Sequence, residues 1–106
     1  MSRRGFTIVA RNERTRYGEI DLIACDGAVL AFVEVKTRQA HPGGPSPEPL
    51  AGLRPMQRAR LRRLATAWLA GEGERPRAGT IRFDAVGVVL DGRGRLLRLD
   101  HVEGAW

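Results

Sequence analysis

Two short apolar runs divided by a turn dipeptide constrain this chain more than any other feature. Gly18-Glu19-Ile20-Asp21-Leu22-Ile23-Ala24-Cys25 and Val29-Leu30-Ala31-Phe32-Val33-Glu34-Val35-Lys36-Thr37 are rich in Ile, Val, Leu and Phe, which is strand composition. Asp26-Gly27 between them favours a tight hairpin turn, because glycine accepts positive φ without steric penalty. With Asp26 and Gly27 as the two central turn residues, Cys25 sits opposite Ala28, Asp21 opposite Phe32 and Glu19 opposite Glu34. Strand alternation then projects Glu19, Asp21, Glu34 and Lys36 from one side of the hairpin, beside Ile23, Leu30 and Phe32.

Three carboxylates and an ammonium are unusual on a half-buried face. In this register Asp21 and Glu34 are diagonal neighbours, roughly 7–8 Å apart at the backbone. Two such anions raise each other's pKa unless a cation lies between them. A hydrated Mg²⁺ (or Mn²⁺) suits the pair, since it takes oxygen ligands from one or two carboxylates and completes its shell with water or phosphate oxygens. Lys36 would then orient or help deprotonate a bound water, or stabilise charge developing on a phosphate. The plain alternative is a solvated pair of Glu34 and Lys36 contributing under ~1 kcal/mol. Spacing alone leaves both open.

An Asp shortly before Glu-x-Lys on adjacent strands resembles the PD-(D/E)xK nuclease motif of the restriction-endonuclease-like fold. More narrowly, Ala10-Arg11-Asn12, Tyr17-Gly18-Glu19-Ile20-Asp21-Leu22-Ile23-Ala24 and Phe32-Val33-Glu34-Val35-Lys36-Thr37-Arg38 together resemble the bacterial UPF0102, or YraN, family. Gln57 with Arg62-Arg63-Leu64, Arg82-Phe83-Asp84 and His101-Val102-Glu103 extend the likeness in order over nearly the whole chain. The resemblance implies a Mg²⁺-dependent endonuclease-like hydrolase acting on DNA, branched forms included. Asp21 and Glu34 would be metal ligands, Lys36 would position the attacking water, and Gln57 would assist. Members usually begin with a Glu-bearing helix, whereas here only Met1 to Gly5 precede the first strand. The expected fold therefore lacks that helix, and Glu19 is the residue placed to replace its carboxylate as a third ligand. Met56-Gln57 also stands where members carry Lys-Gln. The alternative is a catalytically inactive nucleic-acid-binding or scaffold protein on the same fold. A weaker third reading is a small ribosome-associated basic protein.

Charge supports a polyanionic partner. Lys plus Arg number 18 against 12 Asp plus Glu, giving a net charge of +6 and a pI near 11.2. Such a balance is the footprint of a nucleic-acid binder, although an arginine-rich genome produces a similar excess. Pro55 opens the clearest helix, with Leu61, Leu64, Ala65, Trp68 and Leu69 on one stripe and Gly71 ending it. Arg58, Arg60, Arg62 and Arg63 lie off that stripe. Arg58 and Arg62 are helical neighbours that repel unless anions lie nearby, and phosphates are such anions. Arg38, Arg58, Arg62 and Arg63 are the candidate nucleic-acid contacts; the alternative is a solvated basic face.

A length of 106 residues allows one domain, 1–106. The lone Cys25 excludes an internal disulfide and reads as a reduced core thiol. No apolar run approaches the ~20 residues of a membrane span, and residues 6–10 are too brief for a signal-peptide core, so a cytoplasmic location is expected.

The architecture expected is α/β. Strands fall at 6–12, 18–25, 29–37, 80–90 and 95–103, and a helix at 55–70, forming one mixed sheet with the helix on one side. Glu13 to Arg16 reads as a charged turn, and Tyr17 as either a packing residue or an aromatic beside the substrate path. The segment 39–49, with four prolines and two glycines, is either a substrate-contacting loop or a plain connection. His41 within it reads as solvent-exposed. Residues 72–79 form a polar connection. Arg82 and Asp84 share a strand face and are placed to pair, with Asp84 structural; His101 belongs to no ligand cluster. Without a leading helix, part of the sheet is expected to stay open, which makes self-association as a homodimer an expectation.

Overall fold

The computed structural model describes residues 5–51, 55–71 and 79–105, with backbone alone for 55–57. Five strands and one helix follow in the order β1 (Thr7–Thr15), β2 (Gly18–Cys25), β3 (Val29–Gln39), α1 (Pro55–Leu69), β4 (Thr80–Leu90) and β5 (Leu96–Val102). They form a single five-stranded sheet in sequence order. β3 and β4 pair in parallel and all other neighbours antiparallel, so the sheet is mixed. A parallel pair needs a crossover, and the segment carrying α1 provides it.

α1 lies on one face of the sheet. Leu61, Leu64, Ala65 and Trp68 are buried there against Ile20, Ile23, Leu30 and Phe32, as the helical stripe predicts, with Leu69 partly buried beside them. Phe32 is the centre of this layer, edge-on to Trp68 and stacked on Phe83 with ring centroids 5.9 and 6.0 Å away. Burying a side chain of this size contributes about 1.5–3 kcal/mol. Phe6, Ala24, Ala31, Val33 and Val86 form a second cluster on the opposite face. β4, between two strands and under both clusters, has the continuous apolar run that two-sided burial requires.

Two turns differ from expectation. β1 runs through to Thr15, so residues 13–15 are strand and only Arg16 and Tyr17 form the loop to β2. Alternation absorbs the charges of this segment: Glu13 turns inward to accept a hydrogen bond from Trp68 Nε1 at 3.2 Å. The second hairpin is wider than two residues. Asp26 Oδ1 accepts hydrogen bonds from the N–H groups of both Ala28 (2.9 Å) and Val29 (2.7 Å), closing a four-residue loop. Cys25 therefore pairs with Leu30 rather than Ala28, and Ile23 with Phe32. The slip is of two residues, so β3 keeps its predicted faces while every cross-strand partner changes.

The loop 40–51 is held down rather than free. Arg98 of β5 donates to the carbonyl oxygen of Pro47 at 2.7 Å, and Pro49 is buried. Leu50 and Pro49 lie on Gly87, where a Cβ would come within 2.9 Å of Leu50 Cγ. Only glycine lets the loop approach the sheet so closely. His41 is exposed, as expected, and Cys25 is a free, half-buried thiol beside the helix-side core. The expected 72–79 connection lies outside the described residues, Gly79 excepted.

Candidate functional site

The site predicted from the hairpin lies where β2 and β3 part. Their pairing runs from Cys25 with Leu30 to Leu22 with Val33. One step further, the Asp21 carboxylate replaces the ladder: its Oδ2 accepts the N–H of Val35 at 2.8 Å. Asp21 is thus held against the backbone next to Glu34. On β3, Glu34 and Lys36 share the face that carries Leu30 and Phe32. Lys36 Nζ lies 3.2 Å from Glu34 Oε1, with the Glu34 side chain only 15% exposed. From α1, the Arg60 guanidinium reaches to 3.8 Å from the other Glu34 oxygen. Glu34 therefore has Lys36 and a helix arginine at its carboxylate, and Asp21 is bonded to the β3 backbone at the next residue, Val35.

Glu19 does not join them. Ile20 and Ile23 are both fully buried against α1 although three residues apart, so the in-out alternation slips between them. Asn12, flanked on β1 by the residues that pair with Ile20 and Leu22, has φ of 50°, a left-handed conformation asparagine tolerates better than most residues. Gly18 also faces α1, with Leu64 and Arg60 at its Cβ position, so Glu19 between Gly18 and Ile20 points to the opposite face. Among the described residues, no three His, Cys, Asp or Glu side chains converge in a way that could hold a metal ion. The expectation of a three-carboxylate centre made of Asp21, Glu34 and Glu19 is corrected accordingly. Single-strand alternation predicted a shared face, and a local irregularity between two strands removed it.

The remaining predicted residues are spread along the helix side. Arg58, Arg62 and Arg63 are exposed on α1, and Arg62 lies over the Phe83 ring at 5.4 Å. Arg38, at the far end of β3, is exposed and donates to the carbonyl oxygen of Thr37. Gln57 is in the first turn of α1, and its side chain lies outside the described residues. Arg60 was part of the predicted basic face but not of the predicted site; only the crossing of α1 over β3 brings it to Glu34.

Asp84 occupies a separate centre on the opposite face. It pairs along the sheet with Val33 and is completely buried. Arg82 forks onto both its oxygens at 2.8 Å, the Gly104 N–H donates at 3.0 Å, and His101 Nε2 lies 2.9 Å from Oδ2. A carboxylate only accepts, so Nε2 carries the proton. Burial pushes the Asp84 carboxyl pKa up, but Arg82, Gly104 and His101 together outweigh it and hold the value below 3.8. The pairing of Arg82 with Asp84 is as predicted. His101, expected to stand apart, is instead part of this cluster, together with Glu103 at 3.6 Å from Arg82.

Comparison with known proteins gives the family of this chain. The family model described as "Uncharacterised protein family UPF0102" matches residues 1–88. The chain belongs to UPF0102. A UPF0102 protein of Mycobacterium avium (strain 104) is 44% identical over 106 residues, covering 98% of this chain and 78% of the relative. One from Streptomyces griseus is 45% identical over 100 residues, covering 94% and 80%. One from Pelotomaculum thermopropionicum is 38% identical over 106 residues, covering 100% and 84%. The matched span of UPF0102 contains Asp21, Glu34, Lys36 and the whole of α1. No helix among the described residues is long and apolar enough to cross a membrane.

Proposed function

We infer that this UPF0102 protein is a metal-dependent endonuclease-like hydrolase of nucleic-acid phosphodiesters, DNA being the expected substrate. The reading is supported by Asp21 being held on the β3 backbone at Val35, next to Glu34, whose carboxylate meets Lys36 and an arginine of the helix. This is the arrangement that the likeness to PD-(D/E)xK nucleases and the restriction-endonuclease-like fold leads one to look for. The donor set fits Mg²⁺ or Mn²⁺: two hard carboxylates would hold the ion and leave its other positions to water and phosphate oxygens. When bound, such an ion supplies an activated water and charge stabilisation on phosphate. The chain's own part is positional. The Val35 N–H fixes the Asp21 carboxylate, Lys36 and Arg60 orient Glu34, and both cations supply positive charge where a phosphate would sit.

A second reading is a nucleic-acid-binding protein without turnover, with Asp21 and Glu34 acting only inside the fold. It is favoured by the partners these carboxylates already have in Val35, Lys36 and Arg60. Calorimetric titration with Mn²⁺ separates the two. The hydrolase reading expects binding by wild type that Asp21→Asn removes; binding unchanged by the substitution rejects the metal role. Incubation of labelled single-stranded, duplex and branched DNA with Mg²⁺ or Mn²⁺ then reads turnover, with Lys36→Ala as control. No cleavage of any of the three leaves the binding reading. Self-association belongs to the same proposal and is supported by the sheet edge, where Leu96, Leu97 and Leu99 of β5 are more than half exposed.

A further inference from the structure

We propose that the cleft between the β1–β2 turn and the second half of α1 is a stacking site for an unpaired base of single-stranded nucleic acid, with Tyr17 as its platform. The cleft encloses about 630 Å³ and is lined by Arg16, Tyr17, Arg62, Arg63, Thr66 and Ala70, among others. That volume is ample for a nucleotide. Tyr17 is 51% exposed, in a two-residue turn that holds its backbone but leaves its ring outside the core. Thr15 Oγ1 anchors that turn by accepting the Tyr17 N–H at 3.1 Å and donating to the Gly18 carbonyl oxygen at 2.9 Å.

Charge and aromaticity coincide here. The Arg16 and Arg63 guanidinium groups lie 5.3 and 5.8 Å from the Tyr17 ring centre. Among the described residues no lining residue is acidic, and Arg16, Arg62 and Arg63 have no carboxylate partner. The C-terminal end of α1 brings only a partial negative charge, which three full positive charges outweigh. A ring flanked by guanidinium groups recognises a flat π-face linked to phosphates. A duplex hides its base faces, so the fitting form is a single strand. The Arg60 guanidinium lies where a Cβ on Gly18, directly after Tyr17, would point, and Arg60 faces Glu34. A strand seated on Tyr17 would therefore run along α1 toward the carboxylates. The inference rests on the nucleic-acid reading for its partner class, and not on metal binding or turnover.

Fluorescence anisotropy in EDTA with a labelled oligothymidylate, an abasic strand of equal length and a duplex tests it. Stacking contributes ~1–3 kcal/mol per base, so Tyr17→Ala is expected to weaken oligothymidylate binding roughly 5- to 150-fold. Tyr17→Phe, which keeps the ring, should stay within about twofold, and the abasic strand should bind wild type and Tyr17→Ala alike. Oligothymidylate binding no tighter than abasic binding by wild type overturns the proposal, whatever the variant does to folding. So does unchanged affinity in a folded Tyr17→Ala. Because EDTA removes divalent ions, these outcomes are independent of the Mn²⁺ titration that decides the hydrolase reading.

Discussion

Replacing Asp84 with asparagine should be among the most damaging single-atom changes in this protein. Asp84 is completely inaccessible, and each of its oxygens accepts two hydrogen bonds, one of them from Arg82. The amide of the variant would keep one acceptor oxygen and turn an NH₂ toward a donor. Breaking a buried ion pair by removing one partner costs about 3–5 kcal/mol. Arg82 is 20% exposed and keeps Glu103 at 3.6 Å, so part of its charge stays compensated. We therefore expect a loss of ~2–4 kcal/mol. For a domain of this size that lowers Tm by roughly 10–30 °C, measurable by circular dichroism, with a urea midpoint as a second readout. The pH dependence follows from the folded carboxyl lying below its ordinary 3.8. A depressed folded pKa gives stability that is complete above the unfolded value and lost as pH falls through the folded one. The gap between wild type and Asp84→Asn should be flat above about pH 5 and should close below the ordinary carboxylate range. A loss under ~1 kcal/mol, or a gap that stays constant into acid, would refute the ionised, four-bonded Asp84 described above.

The other expectations concern loops, charge and assembly. Gly87→Ala places a Cβ 2.9 Å from Leu50, so overpacking should cost about 1–3 kcal/mol and loosen residues 47–50, visible as faster amide exchange there. Glu34→Gln releases Lys36 and Arg60, so it should abolish Mn²⁺ binding while tightening DNA binding in EDTA up to about 5-fold; weaker DNA binding would contradict that electrostatic picture. The Asp26 carboxyl should titrate below 3.8 by NMR, because the Val29 and Ala28 N–H groups favour its ionised form. Sedimentation of wild type should show concentration-dependent association that Leu99→Glu removes, and a monomer at every concentration would end the self-association proposal.

Much of this protein is written locally. β2, β3 and β4 declare themselves through short β-branched and aromatic runs, and α1 through Pro55 and the stripe from Leu61 to Leu69. The pairing of Arg82 with Asp84 is equally local, since both leave one strand on the same face. What the chain order could not supply was the geometry between strands. The Asp26 carboxylate widened one turn and moved the β2–β3 register by two residues. The break in alternation between Ile20 and Ile23 sent Glu19 away from the site, and it depends on how β1 pairs with β2. His101 met Asp84, and Arg60 met Glu34, only because β5 closes on β4 and α1 crosses β3. Periodicity reports on a residue's own element, whereas these contacts are set by how separate elements dock, and that is decided by tertiary packing.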